Sequence, residues 1–286
     1  MERVRRGVDT LLSLLVGLAV VVAVAALGWV LSYVVYRGAA QWLQGGWRLF
    51  TGLPPAPLSG GGGLGPAIVG SAMLITLAVL MALPVSVLAA LYLNEFCPYA
   101  GWVGVWTWGL DILAGVPSIL AGVFVFGVVI VRTGAFSAVA GGLALAILML
   151  PILTQATRLA LQAVPPEIRQ AAWALGATRW QMVMGILLPQ AWPGILSGLT
   201  LAIARAVGET APLLFTALFS SHYLPLKELG AEALVTQPIA SLPVLIYTFA
   251  LSPFANQQDL AWAAALLLVM WVLGFNLCVR WGERRG

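Results

Sequence analysis

Apolar positions run along the chain in long, nearly unbroken blocks, and charged residues fall mostly at the edges of those blocks. Six blocks reach the ~20 apolar residues that a helix needs to cross ~30 Å of hydrocarbon. Leu11 to Tyr36 and Ala67 to Leu93 carry no charge. Ile112 to Val131 lies between Asp111 and Arg132, Thr133 to Thr157 between Arg132 and Arg158, and Leu260 to Val279 between Asp259 and Arg280. The block Ile195 to Leu218 differs, because Arg205 and Glu209 sit inside it. Each block is expected to be helical, since only internal hydrogen bonding satisfies the backbone in lipid. Pro84, Pro117, Pro151 and Pro212 fall within blocks and predict kinks that packed neighbours tolerate. The pattern predicts an all-α, polytopic membrane protein with six transmembrane helices. The apolar run Leu242 to Leu251 is too short to span and predicts a re-entrant or interfacial segment. Residues 37–65, with Pro54-Pro55 and glycine at every position from 60 to 63, predict a flexible, turn-rich loop. No internal repeat is evident.

Composition sharpens this picture. Apolar residues make up 61% of the chain and charged residues 8%, against about 25% charge in a soluble domain. Disorder is excluded as well, since it needs low hydrophobicity and high charge. The net charge is only +4 and the basic residues are scattered, so no stripe exists to follow nucleic-acid phosphates. Cys97 and Cys278 stand far apart and His222 is the single histidine, which leaves no metal-binding spacing. The N-terminal run follows Arg3, Arg5 and Arg6 but far exceeds the ~7–15 apolar residues of a secretory signal, so a retained first helix is expected. With both termini placed in the cytoplasm, nine basic residues lie inside (Arg3, Arg5, Arg6, Arg158, Arg169, Arg179, Arg280, Arg284, Arg285) and four outside (Arg37, Arg48, Arg132, Lys227). That balance favours this orientation. Residues 94–111 carry no Lys or Arg, and Trp102, Trp106 and Trp108 suggest an interfacial aromatic belt.

The connection from Arg158 to Pro189 is unusually long for a link between helices. Pro166 followed by Glu167 suits a helix start, since proline fits the first turn and an acid faces the positive helix end. Ile168, Ala172 and Leu175 recur at helical spacing while Glu167 and Arg169 stay polar. Gly176 can end that helix and Thr178 can cap another. Two short helices across the cytoplasmic face are expected, closed by Pro189. An ordinary connecting loop is the plain reading; a docking surface is the functional one.

Arg205 and Glu209 lie four residues apart and are expected to share one helix face, with Gly208 allowing close approach. A charge at bilayer depth is costly and usually faces a bundle interior or an aqueous path. The two residues form either a structural ion pair or the lining of a translocation path, and the two are compatible. Guanidinium suits phosphate because its planar fork donates two parallel hydrogen bonds. A carboxylate suits an anion that still carries a proton, as phosphate does near neutral pH and sulfate does not.

Gln170-Ala171-Ala172, Gly176 and Ile186-x-Leu188-Pro189 resemble, in residue type and spacing, the "EAA" loop of ABC-importer permeases. Gln170 stands where that family usually has glutamate. Arg205 to Thr216 (RAVGETAPLLFT), Ser241 to Pro253, Ala261 to Leu277 and Gly115 to Phe124 (GVPSILAGVF) are similar to phosphate-transporter permeases of the PstA type. The resemblance covers about residues 66–281. It implies an ABC importer type I permease fold, with residues 1–65 as an added helix and Gly/Pro-rich loop, 66–281 as the transmembrane domain, and 282–286 as a cytoplasmic tail. It implies that the loop 165–189 inserts into a groove on an ATPase subunit, using Glu167, Arg169, Gln170, Ala171, Ala172, Gly176 and Pro189. Arg205, Glu209, Thr210 and Ser118 would line the path. The implied partners are a PstC-type second permease, two PstB-type ATPases, a PstS-type external phosphate-binding protein and membrane lipid, in the inner membrane of a prokaryote.

ATP chemistry is expected from a partner. A Walker A loop needs G-x-x-x-x-G-K-[ST], and the single lysine, Lys227, is followed by Glu228. No cofactor and no enzymatic site are therefore expected in this chain. The nearest alternative is an ABC permease for sulfate or molybdate, which would share the loop. An ion-driven secondary transporter would have no use for a folded docking loop. A membrane-embedded enzyme would need clustered acids or histidines, whereas Glu95 and Asp111 are the only acids between the second and third blocks.

Overall fold

The computed structural model describes residues 2–96, 101 and 103–283, and side chains between residues 10 and 277. Cys97, Trp102, Arg284 and Arg285 lie outside the described residues, as do the side chains of Arg3, Arg5, Arg6, Cys278 and Arg280. Among the described residues there is no strand. The main helices are α1 (Glu2–Gly45), α2 (Gly65–Leu91), α3 (Val103–Gly115), α4 (Ser118–Val125), α5 (Ala138–Gln162), α6 (Pro166–Ala174), α7 (Arg179–Met182), α8 (Leu188–Val207), α9 (Ala211–Thr216), α10 (Leu242–Ala250) and α11 (Ala255–Glu283). Three of them are extended by a wide π-helical turn: Tyr92–Phe96 after α2, Phe126–Ile130 after α4 and Val183–Leu187 between α7 and α8. Among the described residues, five spans are long and apolar enough to cross a membrane, and six if α3 and α4 count as one.

Two of the six expected spans are interrupted. Between Gly115 and Ser118 the chain bends by 98°, so the block Ile112 to Val131 is not one straight helix. Pro117 supplies the reason: it removes a backbone donor and pushes the residue before it out of the α region. The block Ile195 to Leu218 is broken too, because α8 ends at Val207 and α9 begins at Ala211. Pro84 and Pro151, in contrast, sit inside continuous helices. The fourth span runs Ala138–Gln162, a few residues later than the apolar block, because Ser137 accepts a hydrogen bond from the Ala140 amide and fixes the start there.

α5 is the centre of the bundle. Two-thirds of its membrane-length window is buried, twice the share of α2 or α8, so the other spans pack around it. Leu145, Met149 and Leu153 of α5 meet Leu74 and Ala78 of α2, Ala202 of α8 and Leu213 of α9 in one cluster. Lipid tails are as apolar as leucine, so helices associate through close packing, which small residues permit. Gly198 of α8 sits directly against Ala156 of α5, and a Cβ on Gly194 would lie 2.7 Å from that of Ala160.

α1 and α11 form an outer pair. Tyr33 meets Trp262 edge to face at 5.1 Å, the Trp42 indole N–H donates to the Ala263 carbonyl at 3.2 Å, and Arg37 pairs with Asp259 at 2.9 Å. Residues 10–32 of α1 are exposed. Arg37, expected in a loop, is helical because α1 continues to Gly45. The loop that follows is pinned in part: Asn256 donates to the carbonyls of Ala56 (3.0 Å) and Ser59 (2.9 Å), and Gln257 to that of Pro55 (3.3 Å). The short apolar run forms α10, with Leu242, Val244 and Leu245 fully buried and the Leu242 amide donating to Ser71 at 2.8 Å.

Candidate functional site

The first candidate region lies where α8 stops. The Gly208 and Glu209 amides bond back to the carbonyls of Arg205 and Ala206, both at 3.2 Å, in the tightened turn that closes a helix. Glu209 therefore lies beyond the helix rather than on its face. Its carboxylate still reaches Arg205, with Nε to Oε1 at 3.5 Å. Glu209 is largely covered, at 16% side-chain exposure, while Arg205 is open at 48%. Such a half-open pair contributes little stability. No hydrogen bond among the described residues holds the guanidinium, so most of its donors are free for another acceptor. Ser197, Leu201 and Arg205 are exposed at four-residue intervals, which makes one open stripe along α8.

Thr210 precedes α9, half-buried, and its carbonyl accepts from the Leu213 and Leu214 amides at 3.1 and 3.2 Å. Ser118 opens α4 just after the 98° bend and is half-buried. α4 packs closely on α9: a Cβ on Gly122 would come within 2.6 Å of the Pro212 Cα. The two interrupted spans thus meet where α4 crosses α9. Ser118 makes no hydrogen bond to Arg205, Glu209 or Thr210 among the described residues.

The second region is the elbow from Pro165 to Pro189. α6 begins at Pro166 with Glu167 in its first turn. It ends in a glycine turn: the Gly176 amide bonds Trp173 O at 2.9 Å, the Ala177 amide bonds Ala172 O at 3.0 Å, and Gly176 takes φ +76°. That left-handed geometry favours glycine. Thr178 then caps α7 in a reciprocal box with Gln181. α7 is not a separate short helix. It runs through the turn Val183–Leu187 into α8 as one span, Arg179–Val207, and Pro189 sits inside it rather than closing the segment. Ala172 is buried with Leu91, Leu161, Met182 and Leu187, whereas Gln170 and Ala171 are exposed. Trp173, Leu175 and Trp180 are 53%, 88% and 58% exposed, an apolar outer face on an elbow anchored inward by Ala172 and Met182.

Arg169 does not point outward. Its guanidinium donates to the carbonyls of Leu161 and Val164, both at 2.7 Å, and to Glu95 at 3.0 Å. Asn94 donates to the same carboxylate oxygen at 2.7 Å and accepts from Gln162 at 3.2 Å. Arg179 donates to Phe96 O at 3.2 Å. Glu95, Asn94, Gln162 and Arg179 have no special signature in the sequence; the one available signal was a lone acid directly after an apolar block.

The chain matches the family described as "Binding-protein-dependent transport system inner membrane component" over residues 66–281. It is similar to phosphate transport system permease proteins PstA from Yersinia pestis (43% identity, 81% of this chain and 76% of that protein) and Haemophilus influenzae (39%, 92% and 89%). A probable PstA from Methanocaldococcus jannaschii is 34% identical over 98% of this chain and 95% of its own. Among solved structures, the fold matches an inward-facing MetNI methionine ABC transporter (TM-score 0.58, 20% identity, 77% of this chain and 95% of that one). It also matches an amino acid ABC transporter (TM-score 0.55, 20%, 78% and 93%). The fold is that of an ABC importer type I permease, and the long apolar helices make this a multi-pass membrane protein. A subunit of this description works with an ATPase and a substrate-binding protein. The chain belongs to the family of binding-protein-dependent transport system inner membrane components, among its PstA-type permeases.

Proposed function

We propose that this chain is one half of the membrane path of an ATP-driven importer of inorganic phosphate. The observation that carries the reading is Arg205: an open guanidinium with unused donors, beside a largely covered Glu209, where the span of α8 is interrupted. Relatives named as phosphate transport permeases support the choice of anion. The arginine fork would take two phosphate oxygens, and Glu209 would accept a hydrogen bond from the hydroxyl that phosphate retains. Thr210 and Ser118 would offer hydroxyls nearby.

The partners in this reading are a PstC-type permease against the open stripe of α8, a pair of PstB-type ATPases on the elbow, and a PstS-type donor on the opposite face. Trp173, Leu175 and Trp180 are the apolar anchors for the ATPase, with Glu167, Gln170 and Ala171 around them. Gly176 sets the elbow's turn. Residues 66–281 form the transport unit and residues 1–65 an added arm. Both termini lie in the cytoplasm of a prokaryotic cell, on the elbow's side. ATP-driven closure of the ATPases moves the elbow and switches the path between faces.

The test is reconstitution of all four components in liposomes, with ATP-dependent uptake of phosphate measured against sulfate. Phosphate uptake is expected to exceed sulfate uptake, and Arg205→Ala to lose ~10-fold or more, the size of a lost charge-assisted hydrogen bond. Undiminished, selective uptake by Arg205→Ala would remove the assignment.

A further inference from the structure

We infer that Glu95, clamped by Arg169, is the positioning residue that joins the docking elbow to α2 and α5 as one rigid lever. This rests on the reading of the elbow as the ATPase contact and adds how its motion reaches the bundle. α6 follows α5 directly and α7 runs into α8, so the elbow is covalently continuous with those helices. α2 has no such link. It reaches the elbow through the turn Tyr92–Phe96, and that turn is held twice, from both arms of the elbow. Arg169 of α6 binds Glu95, and Arg179 of α7 binds the Phe96 carbonyl while lying 6.0 Å from the Phe96 ring.

The Arg169 contacts are those of a joint. Leu161 and Val164 lie at the end of α5, where carbonyls lack helical partners and a cation is favoured. One guanidinium fills both carbonyls and pairs with a carboxylate of the neighbouring span. The side chains of Arg169 and Glu95 are only 18% and 7% exposed. A charge this covered has no aqueous fallback when its partner is removed. Asn94 and Gln162 add a second bridge between the ends of α2 and α5. Beneath the polar layer, Leu91, Leu161, Val164 and Ala172 close the same junction with apolar contact. α2, α5 and α6 are thereby one body. The elbow's freedom lies elsewhere, at the wide turn Val183–Leu187.

The experiment uses the complete importer in liposomes and reads three quantities: ATPase retained on purification, ATP hydrolysis stimulated by the loaded binding protein, and phosphate moved per ATP. Glu95→Gln and Arg169→Met are expected to keep the ATPase bound while phosphate per ATP falls about 5-fold or more, within the usual range of coupling between sites. Arg169→Lys should recover part of the loss, and Glu95→Arg with Arg169→Glu should recover more than either single reversal. Unchanged phosphate per ATP in both single variants would overturn the inference. So would loss of the ATPase from both, which would make the pair a support of the docking surface alone. Absence of an ATPase on the unaltered complex would instead overturn the reading of the elbow.

Spin labels provide a measurement on the otherwise native pair. With Cys97 and Cys278 replaced by serine, labels at Leu88→Cys on α2 and Ala174→Cys on α6 should keep one separation in nucleotide-free and ATP-trapped complexes. A shift between those states would refute the rigid lever.

Discussion

Two arginines of this chain differ in what surrounds them, and that difference sets their roles. Arg205 is open and loosely paired, so its donors remain available; Arg169 is enclosed and spends its donors on two carbonyls and a carboxylate. In the proposed function the first takes the ligand, while the second holds the fold in place. Glu209 lies next to Arg205, and its removal should act on choice of anion more than on assembly. Glu209→Gln is expected to narrow the preference for phosphate over sulfate in competitive uptake, while the purified complex keeps its subunits; an unchanged preference would count against a hydrogen bond from phosphate to Glu209. Arg205 was legible in the sequence because a charge inside an apolar block is costly and stands out. Glu95 was not. It falls at a block edge, where charges are ordinary, and only the fold brings Arg169 to it across 74 positions.

At the scale of helices, apolarity identified where spans lie but not where their hydrogen bonding stops. Hydropathy is blind to the breaks at Pro117 and Gly208, because each falls inside a block whose average stays apolar over a membrane-length window. It also missed the continuity of α7 with α8, since Pro189 fits the first turn of a helix as well as the end of a loop. The elbow was legible in detail because its signals are local: Pro166, Gly176 and Thr178 each act within a turn. The seam between α5 and α8 follows from residue size. Gly194 and Gly198 meet Ala160 and Ala156 with no room for a further side chain. Gly194→Val and Gly198→Val should each cost about 1–3 kcal/mol through overpacking, seen as a lower melting temperature in detergent. Gly274→Ala, where a Cβ meets open space, is the matched control and should not destabilise.

For the whole molecule, the arrangement separates a packed transport unit around α5 from an outer α1 that touches it through α11. The elbow presents the apolar outer face of Trp173, Leu175 and Trp180, so deleting residues 165–180 should abolish co-purification of the ATPase while the spans remain in the membrane; retained ATPase would place docking elsewhere. The turn Val183–Leu187 has its own consequence for such a machine. A π-helical turn houses one surplus residue inside an otherwise regular rod. Relaxing it passes each amide from one carbonyl to the next, so the rod can swivel while its hydrogen bonds are traded and not forfeited. Gly185 sits at the middle of that turn with nothing near it. Excising Gly185 should leave a plain α-helix with both flanking faces still in phase. The ATPase should then stay attached to a stiffened axle, with uptake reduced; full uptake would show that the surplus residue is idle.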